Sequence, residues 1–314
     1  MEKIHLDLKV PRGWAFCTTR ELEMIAEEMI RSQIMASLSR FHPFDWVEIK
    51  TRLFFRFADV EVTDMVEDEY ENDVFICRHP SLGKTEFTLE TWQVHSFLEQ
   101  LKWLDATDAK GRPLPMPKMM WPYPKRIRRW WPLWRREHYA PGELLDGMTW
   151  QQYRWINDWM EAYTMKSNAI VAEREKGAKG SGTSAPQLKQ MQREERDIRL
   201  TVLSLMFGCP KWRIRLARIS DVEWQVVMFW WSSMMQYLKE QYPKCFKSSA
   251  KPSRSRQQPL PIELYTRSMA TLQKYLGGLT EAEINAQTAH AILRHLNDMA
   301  IEAEEMEKLR RKHK

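Results

Sequence analysis

The chain has 314 residues, 43% hydrophobic and 29% charged, the profile of a folded protein with one large or two ordinary cores; a disordered chain is excluded. The formal net charge is +6, yet residues 116–136 (MPKMMWPYPKRIRRWWPLWRR) hold seven lysines and arginines and no acid, so the remainder sums to about −1. Basicity confined to one segment argues against a protein that wraps nucleic acid over a broad face. Four cysteines, far apart and without CxxC spacing, are expected to be reduced, mostly buried thiols in a cytosolic setting. MEKIHLDLKV has no continuous apolar core, so no signal peptide is expected. The most apolar run, Val222 to Leu238, is interrupted by polar residues and falls short of a membrane span.

Residues 1–105 read as a small α+β domain of order β-α-α-β-β-α. In KIHLDLKV, Ile4, Leu6, Leu8 and Val10 alternate with polar residues, which predicts a strand. The capping box Thr18-x-x-Glu21 opens a helix with the stripe Leu22, Ile25, Ala26, Met29 and Ile30. Asp45-x-x-Glu48 suits a second helix through Phe57. DVFICRHPSLGKTEFTL predicts a hairpin, and a third helix carries Trp92, His95, Leu98, Leu101 and Leu104.

Residues 106–142 form a connector whose seven prolines exclude a continuous helix. A helical domain is expected over 143–243, with a flexible linker near 172–187 and a helix closed by Gly208 and Pro210. Residues 221–242 predict a central helix through Val222, Val226, Phe229, Trp230, Met234 and Leu238. A basic Ser/Pro linker spans 244–261. A C-terminal helical pair follows over 262–314, its second helix starting at the capping box Thr280-x-x-Glu283. The fold class is therefore mainly α: a small N-terminal α+β domain followed by a helical domain.

Catalytic chemistry finds no foothold in the residues. GKT at 83–85 lacks the glycine of a phosphate-binding loop, Arg78 standing in its place. His290 and His295, five apart on a helix, face different ways and have no cysteine nearby, so they read as packed or surface histidines. No GxSxG or papain-like context is present. The expectation is a non-enzyme with no cofactor and no metal. VVMFWWSSMM reads as core before it reads as a partner-binding face, and EAEEMEKLRRKHK as a solvated helix end.

The basic segment 116–136 admits several readings. As an internal strap, its prolines stiffen an extended chain, tryptophans plug grooves, and arginines face solvent or acids such as Glu67, Asp68, Glu69 and Glu71. As a partner site, Trp121, Trp130, Trp131 and Trp134 are anchors, while Arg126, Arg128, Arg129 and Arg135 meet acidic protein. As a nucleic-acid site, the same arginines meet phosphates and the aromatics stack on bases. A membrane surface fits least, because Pro122, Pro124 and Pro132 break the helix it favours. The strap leads.

VPRGWAFCTTRELEMIAEEMI followed by EIKTRLFFRF, then LLDGMTWQQYRWINDWMEAY, LTVLSLMFGCP and AHAILRHLNDMAIEAEEMEK resemble uncharacterised proteins of tail-gene clusters in Bacteroidetes phages and prophages. The resemblance covers about three quarters of the chain and rests on helical packing patterns. It implies a phage-derived, cytoplasmic or virion-associated protein that acts as a chaperone or adaptor for a tail structural protein, tape-measure or tube. It implies no site residue, and it does not extend to the basic connector or to the 172–187 linker. The expected function is thus non-enzymatic assembly work on another protein, with nucleic-acid binding through 116–136 as the alternative.

Overall fold

The computed structural model describes residues 8–38, 44–67, 73–109, 111, 114, 120–123, 126–127, 138–178, 185–246 and 269–312. The protein is mainly α, with a small three-stranded antiparallel sheet near the N-terminus followed by helices. It divides into two compact units. Unit 1 takes residues 1–123, 168–190 and 219–233; unit 2 takes 124–167, 191–218 and 234–314.

Unit 1 is built from well-capped pieces. The Thr18 hydroxyl accepts from the Glu21 N–H, and the Glu21 carboxylate accepts from the Thr18 N–H at 2.6 Å, so the first orphan donors of α1 (Thr19–Leu38) are met. Leu22, Ile25 and Ala26 on its inner stripe are buried. Asp45 accepts from the Val47 N–H at 2.8 Å and starts α2 (Trp46–Phe57), which buries Ile49, Leu53 and Phe54. Glu28 of α1, only 5% exposed, receives Arg56 of α2 at 2.9 Å, and Arg56 also reaches Glu27 at 2.5 Å. Burial opposes the Arg56 charge, but the bonds to Glu27 and Glu28 outweigh it and raise its pKa.

Asp59, at φ 55°, turns the chain out of α2 into β1 (Glu61–Glu67). β2 (Asp73–Arg78) pairs antiparallel with β1, Val66 opposite Val74 and Glu61 opposite Arg78, with an irregularity between Val62 and Asp64. β3 (Glu86–Glu90) closes the expected hairpin on β2, Val74 opposite Glu90. Its connection contains Gly83 at φ 60°, where a side chain would be strained. α3 (Thr91–Leu98) follows, with Gln93 and Glu90 completing a capping box.

The order among the described residues is therefore α-α-β-β-β-α. Of the strand expected over residues 3–10, residues 1–7 lie outside the described residues and 8–10 form no strand; Leu8 and Val10 instead pack half-buried on the core. β1 was not expected, because EVTDMVE lacks alternating burial: all seven residues are exposed. One core gathers α1, α2, α3 and the sheet around Trp14, Phe54 and Leu101, and Val226 and Phe229 join it from α7 (Asp221–Gln241). A short 3-10 turn over Trp14–Phe16 sets the Trp14 ring against Trp103 at 5.1 Å and Phe229 at 5.2 Å.

After the two-residue ladder β4 (Arg126–Ile127) with β5 (His138–Tyr139), the elements are helical. α4 (Trp150–Ala178) runs on into the stretch expected to be a linker, and α5 (Ala185–Met206) begins inside it; residues 179–184 lie outside the described residues. Glu173 and Lys176, paired at 2.6 Å, and the helix-forming EREK sequence carry the extension. Gly208 at φ 57° and Pro210 end α5 as expected, before α6 (Lys211–Ala217). α7 buries Val226, Phe229, Trp230, Met234 and Leu238, so the VVMFWWSSMM run is core. α4, α5 and α7 each contribute residues to both units.

α8 covers residues 269–275. The helix expected from Thr280 onward is two helices, α9 (Glu281–Ala286) and α10 (Ala289–Lys312). The Thr280–Glu283 capping box forms, but at Gln287 the backbone turns extended. There the Gln287 carbonyl accepts from the Trp150 N–H at 2.7 Å, and the Ala289 N–H donates to the Met148 carbonyl at 2.9 Å. Tertiary backbone bonds replace the helical ones, and the break costs little. The end of α10 is solvent-exposed, with Arg311 on Glu307.

Trp14→Ala should leave a cavity at the junction of three aromatic side chains and lower unfolding free energy by about 3–5 kcal/mol. Chemical denaturation followed by tryptophan fluorescence and circular dichroism measures it.

Candidate functional site

Of the basic connector, residues 121–123 are described in full. Trp121 meets Trp230 of α7 edge to face, centroids 4.7 Å apart at 84°. The Pro122 carbonyl accepts from the Thr19 hydroxyl at 2.5 Å, and Tyr123 packs on the unit 1 core. Burial pushes the Tyr123 hydroxyl pKa upward, and the carboxylates of Glu23 and Glu223 push it further. Three consecutive residues are thus fastened to α1 and α7, and the Trp121 ring is spent on an internal contact. Arg126 takes part in the β4 ladder through its backbone, opposite Tyr139. Arg128, Arg129, Trp130, Trp131, Trp134 and Arg135 lie outside the described residues, as do Asp68, Glu69 and Glu71.

Groups that do chemistry elsewhere are occupied here by structure. An open groove of about 470 Å³ in unit 1 is lined by Arg20, Arg56, Asp59, Arg78 and His79 among others. Arg56 is held by Glu27 and Glu28, Arg78 by Glu86 at 2.6 Å, and His79 Nδ1 by the Ser81 hydroxyl at 2.6 Å. Its cations are largely neutralised in place. In unit 2, His290 Nε2 lies 2.6 Å from the Leu144 carbonyl and Nδ1 lies 2.9 Å from the Tyr242 hydroxyl. A carbonyl only accepts, so Nε2 carries the proton, and in the neutral ring Nδ1 accepts from Tyr242. The ring thereby fastens a turn whose Leu144 and Leu145 both have positive φ, a conformation that non-glycine residues adopt only when held. His295 lies edge-on to Tyr275. Among the described residues no three His, Cys, Asp or Glu side chains group as metal ligands, and no helix is long and apolar enough to cross a membrane.

All four cysteines are free thiols; Cys77 and Cys209 are buried, Cys17 and Cys245 half-buried. Burial lifts the pKa of Cys77 to about 11, and burial with Asp298 lifts Cys245 to about 11. Burial with Glu21 lifts Cys17 to about 12. None carries the thiolate a nucleophile needs near neutral pH.

Two surfaces remain unspent. The first is the free side of β1. Within the described sheet β1 pairs only with β2, and every one of its residues is exposed. Val62, Val66 and Met65, the last 56% exposed, alternate with Glu61, Asp64 and Glu67. Residues 61–73 hold seven acids and no base. An edge strand whose outer side pairs with no other strand among the described residues is a template for another strand.

The second surface lies on α4 and α6 in unit 2. Trp155 and Trp159, four residues apart on one face of α4, are 45% and 38% exposed. The Lys211 ammonium sits 6.0 Å from the Trp159 ring centroid and 2.9 Å from Asp197. Trp212 is 46% exposed, with the Arg213 guanidinium 5.1 Å from its ring centroid. Arg215 and Arg218 are exposed beyond it, while Ile214 anchors α6 inward. None of these three tryptophans is singled out as a site residue by the sequence alone. Tryptophans four apart and the alternation Lys-Trp-Arg-Ile-Arg were the signals available.

Comparison with family models, with curated proteins and with solved structures finds no match to this chain.

In native protein at pH 8, Cys77 and Cys245 should react with iodoacetamide roughly 100-fold, and Cys17 roughly 1,000-fold, more slowly than an ordinary thiol, because so little thiolate is present. Unfolding in guanidinium should restore the ordinary rate, and mass spectrometry of the labelled peptides reads both states.

Proposed function

We propose that the protein is a non-enzymatic adaptor that holds another protein by strand addition at β1, working in the assembly of a phage tail in the bacterial host. The observation that carries the reading is β1 itself: a sheet edge exposed along its whole length, with apolar Val62, Met65 and Val66 available to a partner. Main-chain hydrogen bonds supply affinity in such additions, and alternate side chains supply selectivity. Seven acids between residues 61 and 73 favour a partner segment rich in lysine and arginine, and they repel a second copy of β1. The thiols whose pKa burial raises, and His290 bonded through both ring nitrogens, support a non-catalytic role. The resemblance to tail-gene proteins supports a tail structural protein, tape-measure or tube, as the partner. Trp121 turned inward on Trp230 supports a strap role for the start of the basic connector.

A tagged pull-down from host or phage lysate, with and without nuclease, tests this, with recovered proteins identified by mass spectrometry. A tail structural protein should be retained in both arms by the unaltered chain and lost with Met65→Lys or Val66→Lys, whose exposed sites leave thermal unfolding within a few degrees. Equal recovery by these variants removes β1 from the function. Loss of every partner after nuclease favours nucleic-acid binding through 116–136 instead.

A further inference from the structure

We propose that the α4–α6 face of unit 2 binds single-stranded nucleic acid, with Trp155, Trp159 and Trp212 as stacking platforms and Arg215 and Arg218 as phosphate contacts. Three tryptophans exposed by 38–46% on two neighbouring helices are an unusual outlay of apolar surface for a protein that buries Trp224, Trp230 and Trp231 almost completely. The exposed part of an indole accepts any unpaired base, since every base has a π face.

Charge selects the class of ligand. Between Asp197 and Asp221 the sequence has no acid, while it holds Arg199, Lys211, Arg213, Arg215 and Arg218. Of the acids near the face, Asp197 is met by Lys211 at 2.9 Å, while burial and the neighbouring Glu161 push the Asp158 carboxyl up in pKa against the opposing charge of Arg154. Arg215 and Arg218 therefore present their charge to solvent beside the indoles. Lys211 over Trp159 and Arg213 over Trp212 hold cations against the rings, so that phosphate and base are offered neighbouring contacts. A duplex keeps its bases stacked on one another and gives the indoles nothing to cover, which favours a single strand. An acidic peptide satisfies the arginines and leaves the three rings open.

This inference does not depend on strand addition at β1, nor on the basic connector, whose failure leaves it standing. The test is fluorescence anisotropy of a labelled thymidine oligonucleotide against the full chain over a salt series. The expected result is binding whose log Kd rises linearly with log salt, weakened about tenfold by Trp155→Ala and again by Trp212→Ala. Replacing both Arg215 and Arg218 by Gln, which touches no buried side chain, should lower the salt slope by about two. Replacing the seven bases of 116–136 by Gln should leave the affinity conferred by these side chains in place. Absence of binding at low salt overturns the proposal. So does binding that survives all four substitutions on this face and disappears with the connector variant. Binding of a polyglutamate peptide in preference to the oligonucleotide likewise overturns it and makes the face a site for acidic protein.

Discussion

Aromatic contacts along the first half of α7 are the constraint from which unit 1 takes its form. Phe229 meets Trp14, Trp14 meets Trp103, and Trp230 meets Trp121, each at ring-centroid separations of 4.7–5.2 Å. These rings come from four distant points in the sequence. Each contact therefore closes a long loop, and together they offset the ordering of the intervening chain. The 3-10 turn at Trp14 and the inward Trp121 are consequences: without Phe229 and Trp230 to meet, neither conformation has a reason to persist. Trp103 is fixed further by its own indole N–H, which donates to the Pro11 carbonyl at 3.1 Å.

Polar groups in both units serve this scaffold. The buried Glu28 and the partly exposed Arg56 tie α1 to α2, with Glu27 and Arg52 as second partners. His290 of α10 clasps the Leu144 turn through Nε2 and the Tyr242 hydroxyl through Nδ1. Such groups look catalytic in a sequence and prove to be fasteners in the fold. The β1 edge and the tryptophan-bearing part of α4 are exposed surfaces beside this scaffold.

Local signals were legible wherever the physics was local. The capping boxes at Thr18 and Thr280, the Asp45 cap, the Gly208–Pro210 stop and the β2–β3 hairpin depend on neighbours within a few residues, and all stand where the sequence placed them. β1 was missed because its residues are exposed on both faces, so no burial period of two marks it. The break between α9 and α10 was missed because its cause is the backbone of residues 148–150, far away in sequence. Trp155, Trp159 and Trp212 were missed for the same reason: helical spacing gives a residue's angle on its helix, and only the neighbouring helices decide which angles are covered.

The sequence by itself determined that this is a mainly helical protein, with α7 central and a small antiparallel sheet near the start, because periodicity, caps and turn residues act over short range. It also determined that residues 116–136 hold seven cations and no acid. Only the tertiary structure decided that each unit is assembled from three separate stretches of chain, that Trp121 faces inward, and that α4 and α6 bring Trp159 and the Lys211 ammonium side by side. Burial is a property of pairs of surfaces, and a single sequence specifies the surfaces before it reveals which of them meet.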